Sequence, residues 1–136
     1  MTAHRYLLDT NILTDLIKNP GGRIKEHIAE TGETSICTSI IVACELRFGA
    51  RKRNAPMLTA RIESLLQTID VLPFDIDADR AYAEIRALLE EAGQPVGAND
   101  MLIAAHAVME NCILVTNNES EFARVAGLAV ENWLDR

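Results

Sequence analysis

Three carboxylates with mostly apolar neighbours are the residues of this sequence best suited to chemistry. Asp9 follows a short apolar run, Glu45 lies in the middle of another, and Asp100 opens a segment that is almost wholly apolar. Burying a carboxylate is costly unless a cation or a hydrogen-bond donor compensates its charge. Mg²⁺ and Mn²⁺ are hard cations that prefer carboxylate oxygens and water as ligands. The three side chains would therefore form a Mg²⁺ or Mn²⁺ site if the fold brings them together.

Each of these carboxylates also has an ordinary structural interpretation. Asp9 and Asp100 stand at predicted helix starts, where the helix dipole favours a negative charge, and Glu45 would be a solvated helix residue. Three such carboxylates, each with apolar neighbours, favour the metal interpretation. Clustered anions repel one another, so some of their pKa values should rise when no metal is bound.

The elements that must position these side chains alternate between strands and helices. Strands are predicted at 6–8, 35–38, 69–72, 112–116 and 128–130, and helices at 10–18, 23–30, 40–53, 56–68, 77–92, 101–109 and 119–125. Thr10 or Asn11, Ser39 and Asn99 are the predicted caps of three of these helices. The alternation predicts an α/β fold with a central, mostly parallel, twisted sheet of four to five strands flanked by helices. Ligands of such sheets bind beyond the carboxyl ends of the strands, which is where Asp9 falls.

The 136 residues predict a single domain, 1–136, with 49% apolar residues and a net charge of −7. The charge is uneven, because residues 1–70 carry nine basic and eight acidic side chains while residues 71–136 carry four and twelve. A polyanion would be repelled by the second half unless bound cations or a basic patch invert the field. The aromatic share of 4% argues against a platform on which bases stack.

The cysteines and the apolar runs bear on the compartment of the protein. Cys37, Cys44 and Cys112 form no CxxC pair, which argues against a disulfide framework and a structural zinc site. We expect all three to be small buried hydrophobes in a reducing compartment. No apolar run approaches the roughly 18 residues of a membrane span, so a soluble, cytoplasmic protein is expected. Phe48 and Met57 are expected to pack in the core, the alternative being an exposed groove for a partner helix.

Five segments, taken in order along the whole chain, resemble a PIN-domain ribonuclease. More narrowly, they resemble a VapC-type toxin of a bacterial type II toxin–antitoxin pair. The segments are LLDTNIL (7–13), SIIVACELRFG (39–49), PVGANDMLIAA (95–105), VTNNESEF (115–122) and GLAVENW (127–133). The resemblance implies a PIN-like three-layer fold and a metal-dependent endoribonuclease. It also implies a homodimer, a cognate antitoxin that neutralises the enzyme, and contact with operator DNA only through that antitoxin.

The resemblance also assigns roles to particular positions. Asp9 and Asp100 match the principal metal ligands of the family, and Glu45 matches its third acidic residue. Thr10 matches a hydroxyl beside the first ligand, which implies that it supports that ligand or binds a substrate phosphate, the alternative being a plain helix cap. A fourth acidic position of many PIN domains falls on Asn118, which lacks the charge. Glu121, about one helical turn further on, is a candidate replacement. The number of metal ions therefore stays open.

The chemistry implied by the resemblance is hydrolysis of an RNA phosphodiester bond. A metal ion lowers the pKa of bound water and neutralises charge on the phosphoryl oxygens. Glu45 is our first choice for the carboxylate that accepts the proton of the water. The basic residues following it on the same predicted helix are candidates for binding RNA phosphates, and Arg86 is a separate one. The run consists of Arg47, Arg51, Lys52 and Arg53, with Arg61 beyond it. The alternative is a solvated helix end.

Other classes of function are less well supported. A phosphoaspartyl phosphatase would need an Asp two residues after Asp9, where this chain has Asn11. A phosphoacceptor signalling domain needs a late lysine, and no lysine follows Lys52. No P-loop or GxGxxG motif is present to bind a nucleotide. The remaining alternative, motivated by Asn118, is a PIN module that binds RNA or antitoxin without cleaving RNA.

Overall fold

A parallel five-stranded sheet forms the centre of the computed structural model, which describes residues 5–134. The strands lie in the order β3-β2-β1-β4-β5, and every neighbouring pair is parallel. They are β1 (Tyr6–Leu8), β2 (Ile36–Ser39), β3 (Asp70–Leu72), β4 (Ile113–Val115) and β5 (Val130–Glu131). The predicted α/β fold is confirmed, with five strands. The chain adds strands on one side of β1 and then crosses to its other side, so a topological switch point lies between β1 and β4.

Seven helices flank this sheet in the described residues. They are α1 (Thr10–Lys18), α2 (Arg23–Thr31), α3 (Ile40–Arg53), α4 (Pro56–Thr68), α5 (Ala78–Glu91), α6 (Ala98–Met109) and α7 (Glu119–Phe122). A 3₁₀ turn, Glu33–Ser35, precedes β2, so the strand starts one residue later than predicted. The last helix ends three residues earlier than predicted. None of the helices within residues 5–134 is long and apolar enough to span a membrane.

Apolar side chains bury both faces of the sheet. Leu7, Leu8 and Leu114 on the two central strands have no exposed surface, which fits a parallel sheet covered by helices on both faces. Phe122 and Trp133 are also buried, at 0% and 2% exposure, and close the core near the C-terminus. Burial of this apolar surface is the main force that holds the strand ends, and the polar residues on them, in place.

The helix caps differ from the prediction in two of three cases. Ser39 caps α3 as predicted, since its Oγ accepts a hydrogen bond from the Ile41 N–H at 3.0 Å. Asp9, rather than Thr10 or Asn11, caps α1. The cap of α6 is Gly97, which places Asn99 in the first turn of that helix. Asn99 is not the cap because the helix already begins at Ala98, and its side-chain amide donates to Glu45 instead.

Three side chains expected in the interior lie at the surface. Phe48 and Met57 are 66% and 72% exposed, and Cys44 is also exposed. The expectation of core packing is therefore wrong for these residues, because α3 and α4 direct only some of their apolar side chains inward. The residues that those two helices do bury include Val42, Leu46, Ile62 and Leu66. Phe48 and Met57 are left as candidates for contact with a partner.

Candidate active site

Asp9 lies immediately after β1, at the switch point of the sheet. It is 5% exposed, and both of its carboxylate oxygens accept hydrogen bonds. Oδ1 accepts from the backbone N–H of Thr10 and Oδ2 from the Thr116 hydroxyl, each at 2.8 Å. Thr116 follows β4, the neighbouring strand. Burial raises the pKa of Asp9, the hydrogen bonds from Thr116 and Thr10 oppose this, and the charges of Glu45 and Glu121 raise it further.

Glu45 is held near Asp9 by residues from two other helices. Its Oε1 accepts a hydrogen bond from the Thr10 hydroxyl, and its Oε2 accepts one from the Asn99 side-chain amide at 3.2 Å. The backbone N–H of Thr10 binds Asp9 while its hydroxyl binds Glu45, so Thr10 links the two carboxylates. The helices α1, α3 and α6 therefore meet at Glu45, which is half-buried rather than fully solvated.

Asp100, in the first turn of α6, forms a carboxyl–carboxylate hydrogen bond with Glu121 on α7. Such a bond requires one proton between the two groups. The pKa of Asp100 is raised to about 8, first by burial, then by this hydrogen bond and by the negative charges of Glu121, Asp9 and Glu45. Oε1 of Glu121 is buried and has no hydrogen-bond partner among the described residues. A buried oxygen without a donor is a candidate position for a cation.

The structure thus brings four acidic side chains into electrostatic contact: Asp9, Glu45, Asp100 and Glu121. Asn118 is not part of this contact. Its backbone N–H donates to the Thr116 hydroxyl at 3.0 Å, while its side-chain amide makes no hydrogen bond within residues 5–134. Glu121, one turn along the chain, places its carboxyl group against Asp100 instead.

The donor set of this cluster fits a hard divalent cation, because all of its groups are carboxylate oxygens and one buried oxygen has no donor. Within the described residues, no group of three or more acidic, histidine or cysteine side chains is already arranged to bind a metal ion. The hydrogen bond between Asp100 and Glu121 requires a proton, and hydroxyl and amide donors occupy Asp9 and Glu45. A cation would take the place of that proton.

Two of the arginines predicted to bind substrate are already engaged by acidic side chains. Arg47 forms a bidentate pair with Glu63, with Nε–Oε2 and Nη2–Oε1 distances of 2.8 and 2.9 Å. Arg86 donates to Glu90 and to the Tyr82 hydroxyl, each at 2.9 Å. These pairs compete with a phosphate for the two guanidinium groups, and the substrate-binding role of Arg47 and Arg86 stays a prediction. Arg47 is engaged by an ion pair between two helices, and Arg86 is engaged by an ion pair along α5.

The other predicted basic residues remain without an acidic partner. Arg51, Lys52 and Arg53 form the exposed last turn of α3, and none of them pairs with a carboxylate within residues 5–134. Arg53 lines a groove that runs beside the carboxylates, and so does Lys18 at the end of α1. The groove is also lined by the polar residues Thr10 and Glu45 and by the apolar residues Ile17, Leu46, Ala50, Leu58 and Ile62. An adjoining groove shares Ile17 and Lys18 and is lined by Lys25 and Arg61.

Three residues of the site were missed by sequence reasoning: Thr116, Asn99 and Lys18. Thr116 could have been found, because it follows β4 as Asp9 follows β1 and parallel strand ends share one edge. Asn99 was assigned to a helix cap, although its position beside Asp100 was a signal. Nothing in the local sequence marks Lys18, which reaches the groove only through the packing of α1 against α3 and α4.

The fold and the acidic site agree with the comparisons to known proteins. The PIN domain family model matches residues 6–128, so the chain belongs to the PIN-domain family. Within that family it belongs with the VapC ribonucleases. It is 40% identical over 130 residues to the tRNA(fMet)-specific endonuclease VapC of Shigella flexneri, an alignment that covers 95% of this chain and 98% of that protein. It is 36% identical to Ribonuclease VapC2 of Rickettsia felis, covering 94% of this chain and 97% of that protein.

Solved structures show the same relationship. The structure is similar to a chain in the crystal structure of DNA-bound VapBC from Salmonella typhimurium, with a TM-score of 0.90 and 37% identity. That alignment covers 96% of this chain and 98% of the other chain. The resemblance deduced from the five sequence segments is therefore confirmed, as is the predicted fold.

Proposed function

We propose that this chain is an endoribonuclease toxin that hydrolyses RNA phosphodiester bonds with Mg²⁺ or Mn²⁺ and is neutralised by a cognate antitoxin. The observation that carries the proposal is the cluster of Asp9, Glu45, Asp100 and Glu121 at the switch point of the sheet. Burial, the hydrogen bond with Glu121 and the neighbouring negative charges raise the pKa of Asp100, and a bound cation would offset these effects. Membership of the VapC ribonucleases supports RNA as the substrate.

In this proposal Asp9, Glu45 and Asp100 hold the metal ion. The ion, when bound, would activate water and neutralise charge on the phosphoryl oxygens. Thr10 and Thr116 keep the Asp9 carboxylate oriented through the hydrogen bonds described above. Both oxygens of Glu45 accept hydrogen bonds, whereas Glu121 Oε1 accepts none. The free Oε1 makes Glu121 a candidate for a further metal ligand and also, beside Glu45, our first choice from the sequence, for the group that accepts a proton from water.

Glu121 also bears on the competing function. The alternative function, a PIN module that does not cleave RNA, is suggested by the absence of a fourth carboxylate at Asn118. The contact of Glu121 with Asp100 supplies that fourth carboxylate from a neighbouring position. The enzymatic proposal is therefore better supported than the binding module.

The substrate we propose is a folded RNA, with initiator tRNA as the first candidate. Two relatives, from Shigella flexneri and Salmonella typhimurium, are named tRNA(fMet)-specific endonucleases and are 40% and 37% identical to this chain. Recognition of such an RNA depends on its shape and on accessible loops. The unpaired cations Lys18, Arg51, Lys52 and Arg53 would bind phosphates on either side of the cleaved bond.

We propose the groove beside the carboxylates as the docking surface of the antitoxin. Solved relatives from Salmonella typhimurium and Rickettsia felis are VapBC complexes bound to DNA. A groove lined by apolar residues together with Lys18 and Arg53 fits an amphipathic segment that carries acidic side chains. Such a segment would cover Glu45 and exclude RNA. Operator DNA would then be contacted through the antitoxin, and the exposed Phe48 and Met57 would serve the antitoxin or a homodimer contact.

The test of this function is cleavage of initiator tRNA by the purified, antitoxin-free protein. We expect a discrete pair of products with Mg²⁺ or Mn²⁺, none with a chelator, and none from elongator methionine tRNA as the matched control. Cleavage of both tRNAs would support ribonuclease activity but would rule out initiator tRNA as the specific substrate. A folded protein that binds Mn²⁺ but cleaves neither tRNA nor total cellular RNA would overturn the enzymatic proposal.

Replacing Arg53 should weaken RNA binding more than replacing Arg47. We expect Arg53→Gln to raise the Kd for RNA several-fold and to flatten its dependence on salt concentration by about one unit of log–log slope, as for one lost phosphate contact. Arg47→Gln is the matched control, because Glu63 already neutralises that guanidinium. Fluorescence anisotropy with labelled RNA at several salt concentrations measures both quantities. Equal losses in the two variants would show that the ion pair does not decide which arginine binds RNA.

A further inference from the structure

Two buried thiols outside the acidic site stand next to each other in the sheet. The Sγ atoms of Cys37 and Cys112 are 3.9 Å apart, and the two residues are 0% and 6% exposed. Cys37 lies on β2, beside Leu7 of β1, and Cys112 immediately precedes β4 on the other side of β1. The pair therefore spans the central strand. Neither thiol has a part in the proposed hydrolysis of RNA.

We propose that Cys37 and Cys112 are a modification site that forms a reversible disulfide when a peroxide oxidises the protein. The S–S distance of a disulfide is about 2.05 Å, so the two sulfur atoms must approach by nearly 2 Å. Cys112 lies in the turn between α6 and β4, outside the strand ladder. The Cys112 backbone N–H donates to the Ala107 carbonyl at 2.9 Å, so the approach must shift this hydrogen-bonded turn as well as rotate the Cys112 side chain. A bridge that requires such movement is strained and is easily reduced again.

The oxidation can be written as two balanced steps. Cys112, the more exposed of the pair, attacks hydrogen peroxide as a thiolate: an S–O bond forms, the O–O bond breaks and hydroxide leaves. Cys37 then loses its proton and its sulfur attacks the sulfenic sulfur: the S–S bond forms, the S–O bond breaks and water leaves. Two thiols are oxidised, and one peroxide is reduced to two water molecules.

The electrostatics of the pair agree with this assignment of roles. The hydrogen bond from Cys37 is the largest influence on Cys112 and lowers its pKa. The same hydrogen bond, together with burial, raises the pKa of Cys37. Cys112 is also the more accessible thiol, at 6% against 0% exposure, and the thiolate is the form that reacts with peroxide. Cys37 is the resolving thiol because it is the nearest sulfur and is closed off from solvent.

The position of the bridge connects it with the fold around the acidic site. Cys37 is two residues before Ser39, the cap of α3, and Cys112 is four residues before Thr116, which binds Asp9. A disulfide would join the two strands that flank β1, the strand from which Asp9 extends. The formation of this disulfide depends only on the observed sulfur geometry. The proposal can therefore be tested independently of the proposed function.

Intact-protein mass spectrometry of the Cys44→Ser variant tests the bridge, because this change removes the exposed third thiol. The variant would be treated with hydrogen peroxide while folded, then unfolded and alkylated with N-ethylmaleimide. We expect a monomer that has lost two hydrogen atoms and carries no maleimide, and two maleimide adducts after treatment with dithiothreitol. The same treatment in urea should give far less bridge, since unfolding separates the thiols.

The double variant Cys37→Ala, Cys44→Ser is the matched control, and it should carry a single maleimide or a sulfinic acid on Cys112. Two maleimide adducts on the oxidised Cys44→Ser protein would overturn the proposal. So would sulfinic acid on Cys112 beside a free Cys37, or a disulfide found only between two chains. Circular dichroism of each variant establishes that the thiols were presented by the folded protein.

Discussion

The Asp100→Asn variant should cleave RNA at least about 100-fold more slowly than the wild-type protein, the usual cost of removing one preorganised electrostatic group. The substitution keeps the size of the side chain but removes the charge that would bind the metal ion. It should not unfold the protein. Without metal, the folded protein keeps Asp100 protonated at a pH where the unfolded chain has released that proton, and this raised pKa costs stability. Asn at position 100 carries no such cost, so the variant should be as stable as the wild type at neutral pH, or more stable. Activity and stability should therefore change in opposite directions.

Single-turnover cleavage and urea unfolding in the presence of a chelator measure these two effects. Asp15→Asn is the matched control: Asp15 accepts a hydrogen bond from the side chain of Asn19 on the exposed part of α1, and Asn at position 15 keeps an acceptor oxygen. We expect the control to retain cleavage. If Asp100→Asn cleaved RNA at the wild-type rate, Asp100 would not be a metal ligand. A large loss of stability would instead show that its carboxyl group serves the fold.

The second large effect is the dependence of the protein's stability on pH and on bound metal. Without metal, the protein should become less stable as the pH rises from about 5 to 8. The pKa of Asp100 is about 8 in the folded protein and 3.8 as a model value, so the folded state keeps a proton that the unfolded state has released. Stability from this proton is fully present below the unfolded pKa and is lost as the pH rises through the folded pKa. The raised pKa of Asp9 acts in the same direction.

A divalent cation should reverse this trend, because it binds the charged carboxylates and displaces the proton. The increase in Tm caused by Mg²⁺ or Mn²⁺ should therefore be larger at pH 8 than at pH 5. Thermal unfolding with and without chelator at several pH values measures both trends. The Asp100→Asn variant is the control and should show a weaker dependence on pH. A metal-induced Tm shift that is the same at both ends of the range would rule out competition between proton and cation.

The sequence by itself determined the fold class and most of the acidic site. Alternating strand and helix patterns determined a parallel sheet, because apolar runs such as Tyr6–Leu8 can be buried on both faces only when helices cover them. Asp9 and Asp100 stood out for a related reason, since a carboxylate beside buried apolar residues needs a compensating group. These inferences need only neighbours along the chain. They also placed Asp9 at the edge of the sheet where ligands bind.

Only the tertiary structure decided which side chains meet. Glu121 rather than Asn118 contacts Asp100, Thr10 joins Asp9 to Glu45, and Thr116 reaches Asp9 from β4. Most of these contacts join residues that are far apart in sequence, and their partners follow from helix packing and strand order. The same is true of the surface: Arg47 is neutralised by Glu63 on the next helix, whereas Arg53, six residues further on, has no such partner.

The cysteines show the same difference between what the sequence determined and what only the tertiary structure decided. The sequence predicted that Cys37 and Cys112 would be buried, and they are, while Cys44 was expected inside and is exposed. That two sulfur atoms lie 3.9 Å apart across β1 depends on strand order and on the turn before β4, which no local pattern specifies. Apolar and charged patterns along the chain determine what must be buried. Only packing in three dimensions determines which buried or charged group lies next to which.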